Sequence, residues 1–295
     1  MLKKIIIIIL LAILFIGCED PAPKDYIQTT VVEALLIVDR PIQNIRITKT
    51  LPLYEQYDYN NAIISDAKVF IYEIDENEQE QEFELVFRPS EILGKASYYF
   101  PDTNYTVKRN TKYNLIIILP DGTNVTGTTT TPDSISWVRR VPQFVQYPTD
   151  TINLPPDPNL TVEWTRANSN NAFYILSVTC LDTSEYGKYL SVATDEPNRK
   201  IYRRWHENDR RYQELSSNIV SMLTRSPLIW RFFRWFGLHS IKVYVPDKNY
   251  ELWAIYYWFG GNLDTKANSV EGCAGFFGSV FMIEDEFVLL KNQQP

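Results

Sequence analysis

"KYNLIIILPDGTNVTGTTTTP", residues 112–132, contains two apolar or β-branched runs separated by the turn sequence PDGT. Asp121 and Gly122 at the centre of that turn are the residue types that connections between strands require. Pro132 ends the second run, because proline has no N–H to donate to a neighbouring strand. The segment therefore predicts two strands joined by a turn.

Four earlier stretches show the same character, namely residues 29–38, 44–50, 66–74 and 82–88. Several of them alternate apolar and polar residues, the two-residue period of a half-buried strand. The chain has 19 Tyr, 15 Phe and 7 Trp, and aromatic and β-branched residues favour strands. Roughly six or seven short strands in this region predict a β-sandwich of the immunoglobulin or fibronectin type.

The second half of the chain begins with a proline-rich stretch, residues 147–159, which is typical of a linker or a long crossing loop. Strand-like runs then resume at residues 160–167 and 171–182. The fold is therefore predicted to be mainly β, with two β-sandwich domains in tandem. We expect an N-terminal domain at residues 27–133 and a C-terminal β-rich domain at residues 134–295.

One helix interrupts these strands near residues 247–259. Tyr250, Trp253 and Tyr257 follow a helical spacing, and they are expected to face the core. Asp247 is a residue type that caps helix starts, and a glycine pair follows at positions 260 and 261. The second predicted domain therefore carries a helix.

The first 26 residues predict export and lipid anchoring. Two lysines precede an unbroken apolar run at residues 5–16, well short of the roughly 20 residues that a membrane-spanning helix needs. Cys18 follows directly, a pattern that resembles a bacterial lipobox. Residues 1–17 are then a signal peptide, Cys18 is the lipid attachment site, and residues 18–26 form a tether. The alternative is a plain secreted protein in which Cys18 is incidental.

The charge balance excludes one class of partner. The chain has 36 acidic and 29 basic residues, a net charge of −7. Binding to nucleic acid depends on a surplus of Lys and Arg that neutralises phosphates. We therefore expect no nucleic-acid partner.

The residues suited to catalysis or metal binding are few. His206 and His239 are the only histidines, so neither a hydrolytic triad nor a zinc site with several histidine ligands is indicated. Each histidine is interpreted as a surface or packing residue. The sequence predicts no catalytic residue, no metal and no cofactor, and the protein is expected not to be an enzyme. A hydrolase would require two carboxylates that face each other across a cleft.

Apart from Cys18, the chain has two cysteines, Cys180 and Cys273. In an exported protein they could form one disulfide. Both also lie in apolar sequence, where free thiols are often buried. The sequence does not decide between these alternatives.

Residues 199–236 are basic and aromatic within an acidic protein. Arginine and tryptophan side chains concentrate binding energy at interfaces and stack on planar groups. The candidate contact residues of this segment are Trp205, Trp230, Arg231, Arg234 and Trp235. The alternative is that the apolar side of residues 228–236 joins the core.

Four phrases of the sequence together resemble a known family. They are "VVEALL", "TKTLPLYEQYD", "PDGTNVTGTTTTPDSIS" and "NSVEGCAGFFGSV", in that order along the chain. They are similar to the Bacteroidota lipoproteins grouped as domain of unknown function 4249. The sequence departs from the family pattern at residues 271–274, which include Cys273.

The resemblance implies an outer-membrane lipoprotein on the cell surface, in a family often encoded beside TonB-dependent receptors. It carries over no activity and no catalytic residue. Glu19 and Asp20 resemble the acidic export signal of surface lipoproteins. The alternative interpretation is that these two acidic residues only make the tether soluble. We therefore expect a non-enzymatic accessory or ligand-binding partner of a TonB-dependent receptor. The alternative is a glycan-binding or adhesion module that uses the aromatic segment.

Lipid attachment at Cys18 can be tested directly. We expect the mature amino-terminal peptide to carry acyl chains by mass spectrometry and labelled palmitate to be incorporated, because a thioether at Cys18 anchors the chain. A Cys18→Ser variant should lose the label and leave the membrane fraction. An unmodified residue 18 in the native protein would contradict the anchor.

Overall fold

The computed structural model describes residues 26–52, 55–92, 94–148, 157, 160–168, 171, 173–201, 216–259 and 267–291. Cys18, Glu19, Asp20, Trp205 and His206 lie outside these residues. The described chain is mainly β, as the sequence predicts. None of its described helices combines the length and apolarity needed to cross a membrane.

The strands are β1 (Thr30–Ile37), β2 (Arg46–Lys49), β3 (Lys68–Ile74), β4 (Glu80–Arg88), β5 (Ser97–Tyr99), β6 (Lys112–Ile118), β7 (Asn124–Thr130), β8 (Trp137–Arg139), β9 (Phe144–Gln146), β10 (Thr161–Trp164), β11 (Tyr174–Cys180), β12 (Ser216–Ser221), β13 (Arg225–Pro227), β14 (Gly237–Pro246), β15 (Val270–Glu271) and β16 (Ala274–Leu290). The helices are α1 (Tyr59–Ala62) and α2 (Lys248–Phe259), and two short 3-10 turns occupy Gly187–Tyr189 and Trp230–Phe232.

The predicted strand pair at residues 112–132 is confirmed as β6 and β7. The Thr123 N–H donates to Asp121 Oδ1 at 2.9 Å and so closes the turn, and Gly122 adopts a φ of 86°. This pair lies in a six-stranded sheet with the order β15-β7-β6-β3-β4-β5. Alternate residues of β3, β6 and β7 are buried, including Ile71, Leu115 and Val125. The buried face of this sheet therefore follows the alternation that the sequence shows.

The second large sheet is built around β16, which has 17 residues. Its order is β12-β11-β14-β16-β1-β2, and β9 also pairs with β16. The first part of β16 pairs in parallel with β1, from Val31 opposite Ala274 to Ile37 opposite Val280. The second part pairs antiparallel with β14, up to Gly237 opposite Leu289. One long strand therefore changes partner along its length.

The pairing of β1 with β16 bears on the predicted domain boundary at residues 133 and 134. β1 lies before this boundary and β14 and β16 lie after it, yet all three strands share one sheet. Most buried apolar side chains of both halves also form one contiguous cluster, which extends from Val32 to Leu289. The boundary therefore does not separate the sheets, because backbone hydrogen bonds cross it.

The remaining elements cover the second half of this sheet. A three-stranded sheet with the order β13-β10-β8 contributes buried Val162 and Trp164. Trp164 contacts Tyr174 of β11 edge to face, with ring centroids 5.3 Å apart. Helix α2, predicted near residues 247–259, is confirmed and packs on β16.

Gly275 makes the parallel pairing of β1 and β16 possible. It adopts a φ of 121°, and a Cβ atom at this position would lie 1.9 Å from the Val32 carbonyl oxygen. No side chain fits between the two backbones. Glycine is therefore required at this position by both backbone conformation and space.

We expect Gly275→Ala to lower the free energy of unfolding by about 3 kcal/mol, because β1 must move away from β16 to admit the methyl group. Gly122→Ala is the matched control, since Gly122 also has a positive φ but a Cβ there would meet nothing within 4 Å. It should cost only about 1 kcal/mol of conformational strain. Urea denaturation of both variants measures the difference, and equal losses would contradict this account of Gly275.

Candidate functional site

A cavity of about 500 Å³ lies where β7, β14 and α2 come together. Its walls are residues 128–132 from the end of β7, residues 246–249 from the junction of β14 with α2, and Asn110 and Asn171. This volume falls within the range of small-molecule sites, roughly 300–1,000 Å³. We refer to this cavity as the cleft.

The register of β7 explains why its edge forms a wall of the cleft. The Thr131 N–H donates to Thr111 O at 2.9 Å, so the backbone groups of Thr131 face β6. Because backbone groups alternate in direction along a strand, those of Thr128 and Thr130 face the opposite edge. There, Asn249 Nδ2 donates to Thr128 O at 2.7 Å and Ser279 Oγ donates to Thr130 O at 3.3 Å. Side chains from α2 and β16 therefore occupy the carbonyl oxygens of Thr128 and Thr130 along this edge.

Asp247 joins the three elements at the base of the cleft. Its Oδ1 accepts from the Tyr250 N–H at 2.8 Å, which makes it the N-cap of α2 as the sequence predicts. Its Oδ2 accepts from the Thr129 hydroxyl of β7. Its backbone N–H donates to Ser279 O of β16 at 2.8 Å. One residue thus connects the helix to both large sheets.

The Asp247 carboxyl is largely buried, and burial raises its pKa from 3.8 to about 6. The hydrogen bonds from Thr129 and from backbone N–H groups act in the opposite direction, because they favour the charged form. Desolvation has the larger effect. Asp247 is therefore expected to take up a proton in mildly acidic solution.

The other charges near the cleft are paired. Lys248 Nζ lies 3.1 Å from Glu251 Oε2, and the Glu251 side chain is fully buried while that of Lys248 is largely exposed. The ammonium group of Lys248 is therefore at the rim, next to the carboxylate that compensates it. The cleft presents no large net charge to a ligand.

The aromatic and basic segment does not form a tryptophan platform in the described residues. Trp230 is only 4 % exposed and contacts Tyr147 and Phe233 in the core. The prediction that Trp230 belongs to a contact surface is therefore wrong, and the alternative of a core role applies to it. The physical reason is that the 3-10 turn at residues 230–232 directs this ring inwards.

The neighbouring candidates differ from Trp230 in exposure. Arg231 is exposed, whereas Arg234 and Trp235 are half-buried. Lys200 Nζ lies 5.5 Å from the Trp235 ring, and the Trp235 Nε1 atom is buried with no hydrogen-bond partner among the described residues. Trp205 lies outside the described residues. Of the candidates that the structure describes, only Arg231 is exposed.

His239 is a core residue. Its ring stacks on Phe287 with centroids 5.6 Å apart and meets Phe233 edge to face. Burial lowers its pKa to about 4, so it is neutral at neutral pH. This agrees with its interpretation as a packing residue.

Cys180 and Cys273 are both free thiols, so the disulfide alternative is not realised. Cys180 lies opposite His239, which in turn lies opposite Phe287 near the end of β16. Cys273 immediately precedes β16, so about 45 Å of strand separates the two positions. A disulfide requires Cα atoms within about 7 Å of each other. Burial raises the pKa of both thiols to about 11.

Within the described residues, no group of three or more His, Cys, Asp or Glu side chains is placed to hold a metal ion.

The sequence did not single out the threonine run at residues 128–131 as part of a site. The composition of this run is that of an ordinary strand. The residues of α2 and β16 that meet its edge are far away in the chain.

The fold and the cleft define a mainly β protein with sandwich-type sheets and a cavity at their junction. The family described as "Domain of unknown function (DUF4249)" matches residues 20–280, and the chain belongs to this family. This confirms the resemblance of the four sequence phrases to domain of unknown function 4249. No curated protein matches the chain.

The raised pKa of Asp247 makes a prediction about stability. Because the folded-state pKa is above the unfolded value of 3.8, the protonated form favours folding. This contribution is present at low pH and is lost as the pH rises through about 6. Asp247→Asn keeps the cap and carries no charge, so it should raise the free energy of unfolding by about 2 kcal/mol at about pH 8.

The gain from Asp247→Asn should disappear as the pH falls towards 4, measured by thermal unfolding at a series of pH values. Asp121→Asn is the control, since the pKa of this exposed carboxyl is lowered by the Thr123 N–H. That variant should show no gain at any pH. A pH-independent effect of Asp247→Asn would contradict the proposed titration.

Proposed function

We propose that the protein is a lipid-anchored, non-enzymatic protein of the bacterial outer membrane that faces the cell surface. In this role it acts as an accessory or ligand-binding partner of a TonB-dependent receptor. The anchor and the export signal at Cys18, Glu19 and Asp20 are supported by the sequence alone. The receptor partnership is supported by the family resemblance.

The cleft is the observation that best supports a binding role. Its walls come from β7, β14 and α2, and the hydrogen bonds of Asp247 and Asn249 hold these elements together. A site supported in this way is preorganised, so little ordering is needed when a ligand binds. The described structure thus offers a ready cavity rather than a flexible loop.

The buried carboxylates support a structural role rather than a catalytic one. Both oxygens of Asp247 accept hydrogen bonds from its own scaffold. Glu73 is likewise held by Lys108 Nζ at 2.6 Å and by the Tyr105 hydroxyl. Carboxylates with these partners are committed to the fold, and this favours binding over hydrolysis.

The length of the tether supports action close to the membrane. The first described residue is Tyr26, whose hydroxyl lies 2.8 Å from Thr50 Oγ1. From Cys18 to Tyr26, eight residue steps can reach at most about 28 Å. A lipid on Cys18 would therefore keep the body beside the membrane and any receptor in it.

The alternative of a glycan-binding or adhesion module on the aromatic segment has less support. It requires several exposed tryptophan rings, and Trp230 is buried. A contact through Arg231 and the half-buried Trp235 would be smaller than the platform that the sequence suggested. We therefore favour the receptor partnership over this alternative.

The partnership is tested by gentle solubilisation of membranes that contain the native lipidated protein, followed by affinity purification and mass spectrometry. We expect a TonB-dependent receptor to be recovered with it. Cys18→Ser is the control, since a chain without lipid should not be held beside the receptor. Recovery of the lipidated protein alone, under conditions that preserve other receptor complexes, would reject the partnership.

A further inference from the structure

We infer that the cleft binds a neutral, hydroxyl-rich ligand, specifically a saccharide unit, along the outward edge of β7. This inference rests on the proposed role of the cleft as a ligand site. It names the class of ligand, which neither the sequence nor the family indicates for these residues.

The first argument is the composition of the cleft walls. Amides from Asn110, Asn171 and Asn249 and hydroxyls from the threonine run line the cavity, and no aromatic or aliphatic side chain larger than proline or threonine contributes. The threonine methyl groups and the rings of Pro132 and Pro246 contribute apolar surface beside these polar groups. A saccharide presents hydroxyl groups and C–H surfaces together, so it fits walls of this mixed character.

The second argument is the balance of open donors and acceptors. The Thr130 N–H and hydroxyl have no partner among the described residues, and the same holds for Asn249 Oδ1. The walls of the site thus offer both donors and an acceptor. A sugar hydroxyl both donates and accepts, so adjacent hydroxyls on one ring can satisfy both kinds of group.

The third argument is charge. Asp247 is committed to Thr129 and Tyr250, and Lys248 is paired with Glu251. An anionic ligand would have to lie near two carboxylates, and a cationic one would compete with Lys248 for its partner. A neutral ligand meets neither difficulty.

An extended peptide added to the edge of β7 is the main competing ligand. Adding a strand requires free carbonyl groups along the edge as well as free N–H groups. The carbonyls of Thr128 and Thr130 already accept hydrogen bonds from Asn249 and Ser279. The edge is therefore blocked to a pairing strand but remains open to a compact ligand.

The test uses the mature lipidated protein in a detergent without a sugar headgroup, since a glycoside detergent could occupy the cleft. The protein is screened on a printed array of neutral di- and trisaccharides, and the strongest binder is titrated by calorimetry. Thr130→Trp fills the cleft from an exposed position on β7. Thr126→Trp is the matched control, because Thr126 is exposed on the same strand and face but does not line the cleft.

We expect at least one array member to bind and Thr130→Trp to weaken it by about tenfold or more. Thr126→Trp should leave the affinity within about twofold of the native value. Thr130→Val keeps the shape and removes the hydroxyl, so it should also weaken binding while thermal unfolding stays unchanged. This second variant covers the case in which the tryptophan disturbs the fold.

Absence of binding across the array would overturn the inference, as would equal binding by the Thr130→Trp and Thr126→Trp proteins. Binding of an extended peptide in place of any saccharide would also overturn it. Receptor recovery from membranes is a separate measurement. If no saccharide binds but the receptor is recovered, only the ligand class is rejected. If a saccharide binds but no receptor is recovered, only the partnership is rejected.

Discussion

Backbone pairing along β16 is the constraint on which the rest of the structure depends. Its first part completes a sheet with β1, and its second part completes the same sheet with β14. Val31 and Ala274 are paired although they are 243 positions apart in sequence. Contacts of such long range form late, because the loop-closure entropy is lost before the contact stabilises the chain. The sheet that contains β1 therefore cannot be completed without β16 near the C-terminal end of the chain.

The position of the cleft follows from this strand. β16 changes partner at Val280, which lies opposite both Ile37 of β1 and Pro246 of β14. Ser279, the residue before it, lies 2.9 Å from the Thr129 hydroxyl and accepts the Asp247 N–H. β14 ends here and the chain turns into α2, so none of the described strands pairs with the end of β7 on the edge away from β6. A strand that changes partner thus leaves a gap between these elements, and that gap is the cleft.

Local signals in the sequence predict the local elements. The turn at Asp121 and Gly122 and the helix capped by Asp247 follow from residue types within a few positions of each other. The pairing of β1 with β16 has no such signal, because both strands are ordinary apolar runs. This is why the sequence places a boundary at residues 133 and 134 where the structure has a continuous sheet. Likewise, the burial of Trp230 depends on Tyr147, a distant residue.

The two uses of Asp247, as a cap and as a bridge between sheets, connect stability with the cleft. A buried charge is costly unless hydrogen bonds compensate it, and here they compensate it only in part, since burial still raises the pKa to about 6. An uncharged residue would hold the same elements at lower cost. Natural proteins often retain such a cost at functional sites rather than elsewhere. The cost falls at a residue that links β7, β16 and α2. This supports placing the functional site in the cleft rather than on the aromatic segment.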